Sequence, residues 1–431
     1  MKKIACVYSF SSSSWVSCQK IVSNLHKSYA ELEDVQITNH HYTEPITADD
    51  IVGSKEDIIA AKPDIIVFMD HKPHPLHIIS LLVKEYKTIP KKPRLVFHVF
   101  GDFTLYYHDW HALSEQIYGY EVDFIVASER QKILIDKFLA FPMKSHICPF
   151  PVDENEFHED LKLRDKQRQA WKIDKNQKAF VYTGRLSRQK RILLVMKTFA
   201  QACEESGNSN CQLYLYGNPD FIADRFIGVW EIEGEYFRMI HRLYESMPEE
   251  IKSRIHFMGN IHNKDLKDVY QGADYLVNIS VHNDEDYGMS VAEAQCCGLP
   301  AILSDWGGLA GFEMPEVQDA TVYIPVRIGD NAKILNKTVL LRALTHAMTN
   351  EKKIDRKAIA KIAHAKLGVS AQVKTLANIF ATKPVVFVKM SPFFQKIYLR
   401  TQFTGRVHLT KSRKINYIYR EIYSSYVRPH S

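Results

Sequence analysis

Two carboxylates eight positions apart, Glu285 and Glu293, flank a glycine in Glu285-Asp-Tyr-Gly-Met-Ser-Val-Ala-Glu293, and Ala-Gln-Cys-Cys-Gly298-Leu-Pro300 follows. The pattern predicts a helix that starts near Gly288, with Glu285 in the loop before it and Glu293 in its first two turns. The backbone N–H groups of Gly288, Met289 and Ser290 then have no partner inside the helix. Free amides at the positive end of a helix make a site for anionic or hydroxyl-rich ligands. Carboxylates nearby accept hydrogen bonds from sugar or ribose hydroxyls. A second stretch, Thr183-Gly184-Arg185-Leu-Ser-Arg188-Gln-Lys190-Arg191, lies between a predicted strand and a predicted helix. Fixed cations there would stabilise negative charge growing on a phosphate oxygen, Arg through its forked donors and Lys as a point charge. Position alone leaves four cations open for that role: Arg185, Arg188, Lys190 and Arg191.

The first stretch resembles the Glu-x7-Glu motif of the retaining glycosyltransferases of family 4, enzymes of the two-domain GT-B fold. The family's usual Glu-Pro-Phe-Gly is Glu285-Asp286-Tyr287-Gly288 here, with both Glu residues and the Gly in place. The second stretch resembles the family's Gly-Arg…Lys signature, Lys standing five positions after Arg. The resemblance implies that Arg185 and Lys190 hold the diphosphate of a nucleoside diphosphate sugar. It gives Glu285 the hydroxyls of the transferred sugar, Glu293 the ribose, and Gly184, Gly288, Met289 and Ser290 contacts to sugar and phosphate. Asn260 and Ile261, just after Gly259, would touch the base through their backbone. Tyr214-Leu-Tyr-Gly217, His256-Phe-Met-Gly259 and Gly272-Ala-Asp-Tyr275…Asn278-Ile-Ser280 look like the strand ends that line the nucleotide pocket. The likeness covers roughly residues 178–325.

The function so implied is metal-independent, retaining transfer of a hexosyl unit to a hydroxyl of a glycan or glycolipid acceptor. The nucleotide sugar is the donor substrate, and no cofactor is called for. No close carboxylate nucleophile is needed, unlike a retaining glycosidase with paired acids. A non-catalytic accessory protein of the same fold, binding a partner enzyme or glycan, is the alternative from another class. Phosphorolysis or epimerisation on that fold is a third.

Short apolar runs alternate with helix-like segments along the whole chain. In the first half the predicted strands are Ile4–Tyr8, Asp64–Met69, Arg94–Phe100, Phe124–Ala127 and His146–Cys148, with helices over Trp15–Ala30 and His77–Lys87 between them. Nearly continuous apolar strands fit a parallel sheet covered on both faces. A break follows at Pro149-Phe-Pro-Val-Asp-Glu-Asn-Glu-Phe157, and the charged run to Lys175 reads as a linker. A second βα alternation begins at Ala179–Thr183 and continues through Ala301–Leu303. The expected fold class is therefore α/β: two Rossmann-like doubly wound domains, 1–160 for the acceptor and 161–382 for the donor, facing across a cleft. Residues 383–431 are expected to pack back on the first domain.

The first domain matches less of the family pattern. Val122-Asp-Phe-Ile-Val-Ala-Ser128-Glu resembles its strand-then-Ser-Glu element, but the glycine-rich loop expected after the first strand is Ser9-Phe-Ser-Ser-Ser-Ser14. Ser12 and Ser13 offer hydroxyls on the acceptor side. His98, in Leu95-Val-Phe-His98-Val-Phe100, has two readings: a cleft-facing acceptor contact or a core histidine. His71, His74 and His77 cluster after a strand, but no Cys or carboxylate supports a metal there.

The 431 residues suffice for two domains, and no run approaches the ~20 apolar residues of a membrane helix. The basic, then apolar start, Met1-Lys-Lys-Ile-Ala-Cys-Val-Tyr8, is too short for a secretory signal and reads as a first strand. Seven cysteines, with no Cys-x-x-Cys, argue against a disulfide framework and point to a reduced cytoplasm. Residues 351–431 hold 17 Lys or Arg against 3 Asp or Glu, which leaves residues 1–350 at −8 within a total of +6. From Lys383 onward ten cations and one acid are interleaved with Phe393, Phe394, Tyr398, Phe403, Tyr417, Tyr419, Tyr423 and Tyr426. Packing accounts for the aromatics; peripheral contact with an anionic membrane through 383–431 is the further expectation. Nucleic acid is not an expected partner.

Overall fold

The structure is a computed structural model that describes residues 1–10, 16–43, 47–70, 76–208, 210–219, 234–329, 333–401 and 419–428. It divides into two compact units: Met1–Pro151 with Gly368–Thr410, and Val152–Leu367 with Lys411–Ser431.

The first unit opens with β1 (Lys2–Phe10), α1 (Val16–Ala30), β2 (Val35–Thr43), α2 (Ala48–Ala61), β3 (Ile65–Asp70) and α3 (Leu76–Tyr86). It continues through β4 (Arg94–Val99), α4 (Tyr107–Gln116), β5 (Glu121–Val126), α5 (Glu129–Asp136) and β6 (Ser145–Ile147). The strands pair in parallel in the order β2-β1-β3-β4-β5-β6. The apolar runs of β1, β3, β4 and β5 are buried, as a sheet covered on both faces requires.

In the second unit the run read as a linker forms α6 (Leu161–Ala170), capped by Asp160, whose carboxylate accepts from the N–H groups of Lys162 and Leu163. Then come β7 (Lys178–Thr183), α7 (Ile192–Ser206), β8 (Cys211–Tyr216), α8 (Glu235–Glu245), α9 (Glu249–Lys252), β9 (Ile255–Gly259), α10 (Leu266–Gly272) and β10 (Tyr275–Asn278). The candidate helix α11 (Met289–Cys296) leads to β11 (Ala301–Ser304), β12 (Thr321–Ile324), the small hairpin β13 (Val326–Ile328) and β14 (Lys333–Leu335), α12 (Lys337–Thr349) and α13 (Arg356–Leu367). The parallel order β12-β11-β10-β7-β8-β9 is that of the dinucleotide-binding doubly wound fold, and its direction of winding reverses between β7 and β10.

The chain then returns to the first unit as α14 (Val369–Ala381), β15 (Val385–Val386) and α15 (Pro392–Thr401). Strand β15 adds antiparallel to β5. Arg94 ties the end of α14 down: it donates to the carbonyl of Ile379 at 3.2 Å and ion-pairs with Asp123. A cation facing the last carbonyls of a helix is favourably placed.

The expected segment 383–431 is thus divided. Phe394 packs edge-on to Phe103 and Phe138 in the first unit, and Tyr398 stacks on His111 there. Tyr419, Tyr423 and Tyr426 are instead buried in the second unit, around Trp306. A return of the whole segment to the first domain is corrected for residues 419–428.

Candidate functional site

Ligands of open α/β sheets sit outside the carboxyl ends of the strands where the winding reverses. Here those ends are Thr183 of β7 and Asn278 of β10. The loop after β7 leaves through Gly184, φ +142°, whose N–H donates to the carbonyl of Tyr216 at 3.0 Å. A Cβ on the neighbouring Gly217 would stand 1.8 Å from the carbonyl oxygen of Gly184. The loops after β7 and β8 therefore touch backbone to backbone, which only a glycine permits. Gly259 closes β9, and its carbonyl accepts from the N–H of Gly217 at 2.8 Å.

Beyond Gly184, one helical turn carries Arg188 to Lys190, and Arg191 at φ +60° turns the chain into α7. Lys190 points to the loop after β10 and meets Glu285, Nζ to Oε2 at 2.5 Å, with both side chains largely buried. Backbone follows the same route: the N–H of Val281 donates to the carbonyl of Gln189 at 3.2 Å. Arg188 turns elsewhere, its guanidinium lying over the ring of Tyr236 at 5.2 Å. With Arg191, Tyr236 and Lys333 it lines a separate cavity of about 370 Å3. Of the cations left open by sequence, Lys190 is the one the structure joins to Glu285. Arg185 is half-buried, and its carbonyl accepts from the hydroxyl of Tyr182 at 2.8 Å.

Gly288, φ +130°, starts α11, and no side chain caps that helix. The φ of Gly288 is what favours glycine there; a Cβ would also stand 2.7 Å from the tip of the Leu309 side chain, which would have to shift. Glu293 is buried on α11. It lies near the fully buried Tyr270, whose hydroxyl is within 2.9 Å of the Thr183 hydroxyl. Burial and the Glu293 charge hold the Tyr270 phenol well above its ordinary pKa. Glu285, Glu293, Lys190 and the start of α11 thus gather around β7 and β10. Asn260 and Ile261 stand at the end of β9, two strands from β7.

Several residues of this site escaped the sequence reading. Gly307 and Gly308 follow β11 and press on the acidic loop: the N–H of Gly308 donates to the carbonyl of Glu285 at 2.7 Å. A Cβ at Gly307 would lie 2.4 Å from that carbonyl oxygen, and one at Gly308 2.0 Å from the carbonyl oxygen of Asp286. The Trp306 indole donates to the carbonyl of His282 at 2.6 Å. Asn283 accepts from Lys333 at 3.0 Å and from the hydroxyl of Tyr419. A Gly-Gly pair just beyond an apolar strand, after Asp305 and Trp306, was the available signal.

His98 lies inside the first unit's sheet, 3 % exposed, its Nε2 2.9 Å from the hydroxyl of Tyr29. Burial pushes its pKa down to about 3, so the ring is neutral. That is the geometry of the core reading. Ser12 and Ser13 lie outside the described residues, as do His71 and His74. Among the described residues no three His, Cys, Asp or Glu side chains gather to hold a metal, and no helix is long and apolar enough to cross a membrane. Six of the seven free cysteines are buried.

Residues 164–354 match the family model described as glycosyl transferases group 1. An uncharacterized glycosyltransferase of Methanocaldococcus jannaschii is 25 % identical over 154 residues, 35 % of this chain and 33 % of the relative. The mannosylfructose-phosphate synthase of Agrobacterium fabrum is 23 % identical over 180 residues, 41 % of this chain and 36 % of the relative. The chain thus spans about a third of the length of the curated relatives it matches. Among solved structures, Anabaena HepE in complex with UDP and glucose superposes with a TM-score of 0.62 at 13 % identity, over 88 % of this chain and 99 % of that one. The sucrose-phosphate synthase of Thermosynechococcus elongatus gives 0.60 at 14 % identity, over 88 % and 98 %. WaaG, a glycosyltransferase involved in lipopolysaccharide biosynthesis, gives 0.57 at 16 % identity, over 88 % and 100 %. The two parallel α/β units and these likenesses make the fold GT-B. The match over 164–354, together with the relatives, supports the GT-B glycosyltransferase superfamily for this chain.

Proposed function

We propose that this chain is a retaining, metal-independent hexosyltransferase of the family 4 type, using a nucleoside diphosphate sugar as donor and a hydroxyl of a glycan or glycolipid as acceptor. The observation that carries the reading is the Lys190–Glu285 pair at the reversal between β7 and β10. Lys190 and Arg185 would hold the diphosphate, and their charge would stabilise the oxygen that takes up electrons as the glycosidic bond breaks. Glu285 would leave Lys190 for the sugar hydroxyls once the diphosphate arrives. The uncapped start of α11 at Gly288, Met289 and Ser290 would receive donor oxygens. Glu293 would bind the ribose, and the backbone of Asn260 and Ile261 the base. In the reaction the bond from the anomeric carbon to the diphosphate breaks and one to the acceptor oxygen forms on the same face. The leaving oxygen takes up the acceptor's proton.

Since the Anabaena neighbour holds UDP and glucose, UDP-glucose is the first donor to try. Thermal unfolding with UDP, GDP, ADP and their sugars, with and without EDTA, tests the reading. A ligand at ~100 times its Kd stabilises the protein by ~2.7 kcal/mol. A shift with one nucleotide that survives EDTA, and sugar transfer from its sugar form, is the expected result. No shift with any nucleotide would move the protein to the accessory class.

The aromatics of 419–426 are used internally, so membrane contact through 383–431 would rest on the cations. Its expected mark is binding to anionic liposomes that is lost as salt rises.

A further inference from the structure

Residues 419–428 lie against the scaffold that holds Glu285. The Tyr419 hydroxyl donates to the side-chain oxygen of Asn283, two positions before Glu285, and the Lys333 ammonium donates to the same oxygen at 3.0 Å. Lysine only donates, so the amide must turn its oxygen toward both groups. Asn283 is 2 % exposed. Seven residues on, the ring of Tyr426 meets Trp306 edge to face, with centroids 5.4 Å apart. Trp306 in turn donates to the carbonyl of His282. The same Tyr426 ring closes over Gly307, where a Cβ would stand 3.2 Å from it and 2.4 Å from the carbonyl oxygen of Glu285. Gly307 is therefore held between Tyr426 on one side and the Glu285 backbone on the other. Arg428 fixes the end of the segment through Asp305 at 2.9 Å, next to Trp306 in sequence.

We propose that residues 419–428 are a positioning element for the donor site, in which the Tyr419 hydroxyl and the Tyr426 ring hold the loop that carries Glu285. The inference rests on the function proposed above, because Glu285 must contact the sugar for its placement to matter. Tyr419 and Tyr426 touch no substrate. They act through Asn283 and through Gly307. Placement by well-packed groups outside the reacting centre is worth one to two orders of magnitude in rate, since an error of about 1 Å costs about 100-fold.

The test uses the full chain with Tyr419→Phe, Tyr426→Ala and Tyr426→Phe. Tyr419→Phe keeps the ring and removes one of the two donors to the Asn283 oxygen, leaving Lys333, and it is the variant least exposed to misfolding. Turnover should fall about tenfold in Tyr419→Phe and further in Tyr426→Ala, while Tyr426→Phe, which keeps the ring over Gly307, retains it. A second readout does not depend on turnover. The two weakened variants should lose the affinity difference between the nucleotide sugar and its nucleoside diphosphate, while inhibition by the nucleoside diphosphate stays unchanged. The cations proposed for the diphosphate, Arg185 and Lys190, follow β7, and the backbone proposed for the base, at Asn260 and Ile261, follows β9. Variants with lowered thermal midpoints, full turnover below that midpoint and an unchanged preference for the sugar would overturn the proposal and leave a merely structural role. Wild-type protein that binds no nucleotide sugar would overturn both this proposal and the functional reading.

Discussion

Lys190 and Glu285 form an ion pair whose side chains are 15 % and 9 % exposed, so it is not a surface bridge of negligible worth. Removing one partner leaves the other charge buried and uncompensated, which costs about 3–5 kcal/mol. Lys190→Met and Glu285→Leu should therefore each destabilise by about 3 kcal/mol. For a unit of this size about 1 kcal/mol moves the midpoint by about 2–4 °C, so each single variant should melt about 6–12 °C lower. The double variant replaces both charges with apolar groups of similar size. Such replacements of a buried pair are often neutral or stabilising, so its midpoint should return to within a few degrees of wild type. Turnover should not return: on the proposed function all three variants lack a group that would meet the donor, and they should fall by at least about 100-fold. The assay is thermal and urea unfolding of the four proteins as a double-mutant cycle, with initial rates measured well below the lowest midpoint. Additive losses of stability in the double variant would refute the coupling. Near wild-type turnover in the stabilised double variant would refute the chemical role of the pair.

Two glycines at strand ends should behave differently. Gly217→Ala drives a Cβ into the backbone of Gly184 and should cost more than about 3 kcal/mol, read as a lower urea midpoint or loss of soluble protein. Gly259→Ala meets nothing within 4 Å and should cost only the about 1–2 kcal/mol of a left-handed residue at φ +69°. Equal costs would contradict the backbone contact between the loops after β7 and β8. His98 gives a pH dependence with a definite sign. Its folded pKa of about 3 lies below the ~6.5 of an unfolded chain, so the unfolded state binds the extra proton between those values. Stability is then full above pH ~6.5 and falls on acidification toward pH 3. At pH 5 the loss from this group is about 2 kcal/mol. His98→Gln, compared with wild type at pH 7 and pH 5, should remove that part of the fall; an unchanged pH slope would show that His98 is not buried neutral.

Local pattern carried most of the frame. Apolar strands at Ile4, Asp64, Arg94, Ala179, Leu213, Tyr275 and Ala301 and the helix after Gly288 are where pattern places them, because strands covered on both faces must be continuously apolar. Strand β2, Val-Gln-Ile-Thr-Asn-His-His-Tyr-Thr, was not legible because it lies at the sheet edge, where polar residues are tolerated. The charged run after Phe157 reads as solvated linker, yet Arg164 and Arg168 spend their charge on Asp274, more than a hundred residues away. No local rule distinguishes such an arginine from an exposed one. The same limit hid Asn283, Gly307 and residues 419–428. Their contacts join segments remote in sequence, and only the Gly-Gly after β11 left a local trace.

The motif residues can be divided by asking which of them backbone and packing alone would demand. Gly288 is held to glycine by its backbone, at φ +130°, with the Leu309 side chain close by. Gly307 and Gly308 are fixed by the carbonyls of Glu285 and Asp286. Each of these residues is explained with no ligand in mind. Lys190 and Glu285 are not: a pair of apolar side chains would fill that space at equal or lower free energy, since desolvation takes back most of what a buried pair gains. What the pair supplies that apolar residues could not is a cation and an anion that part when a more negative group arrives. On the proposed function a diphosphate would draw Lys190 with two charges where Glu285 offers one, and the released carboxylate would face whatever the diphosphate carries. For that exchange the loop with Glu285 must stay in place when its counter-ion leaves. The supports that do not depend on Lys190, namely Gly308 on the Glu285 carbonyl, Trp306 on the His282 carbonyl and Tyr419 on Asn283, are disposed to do so.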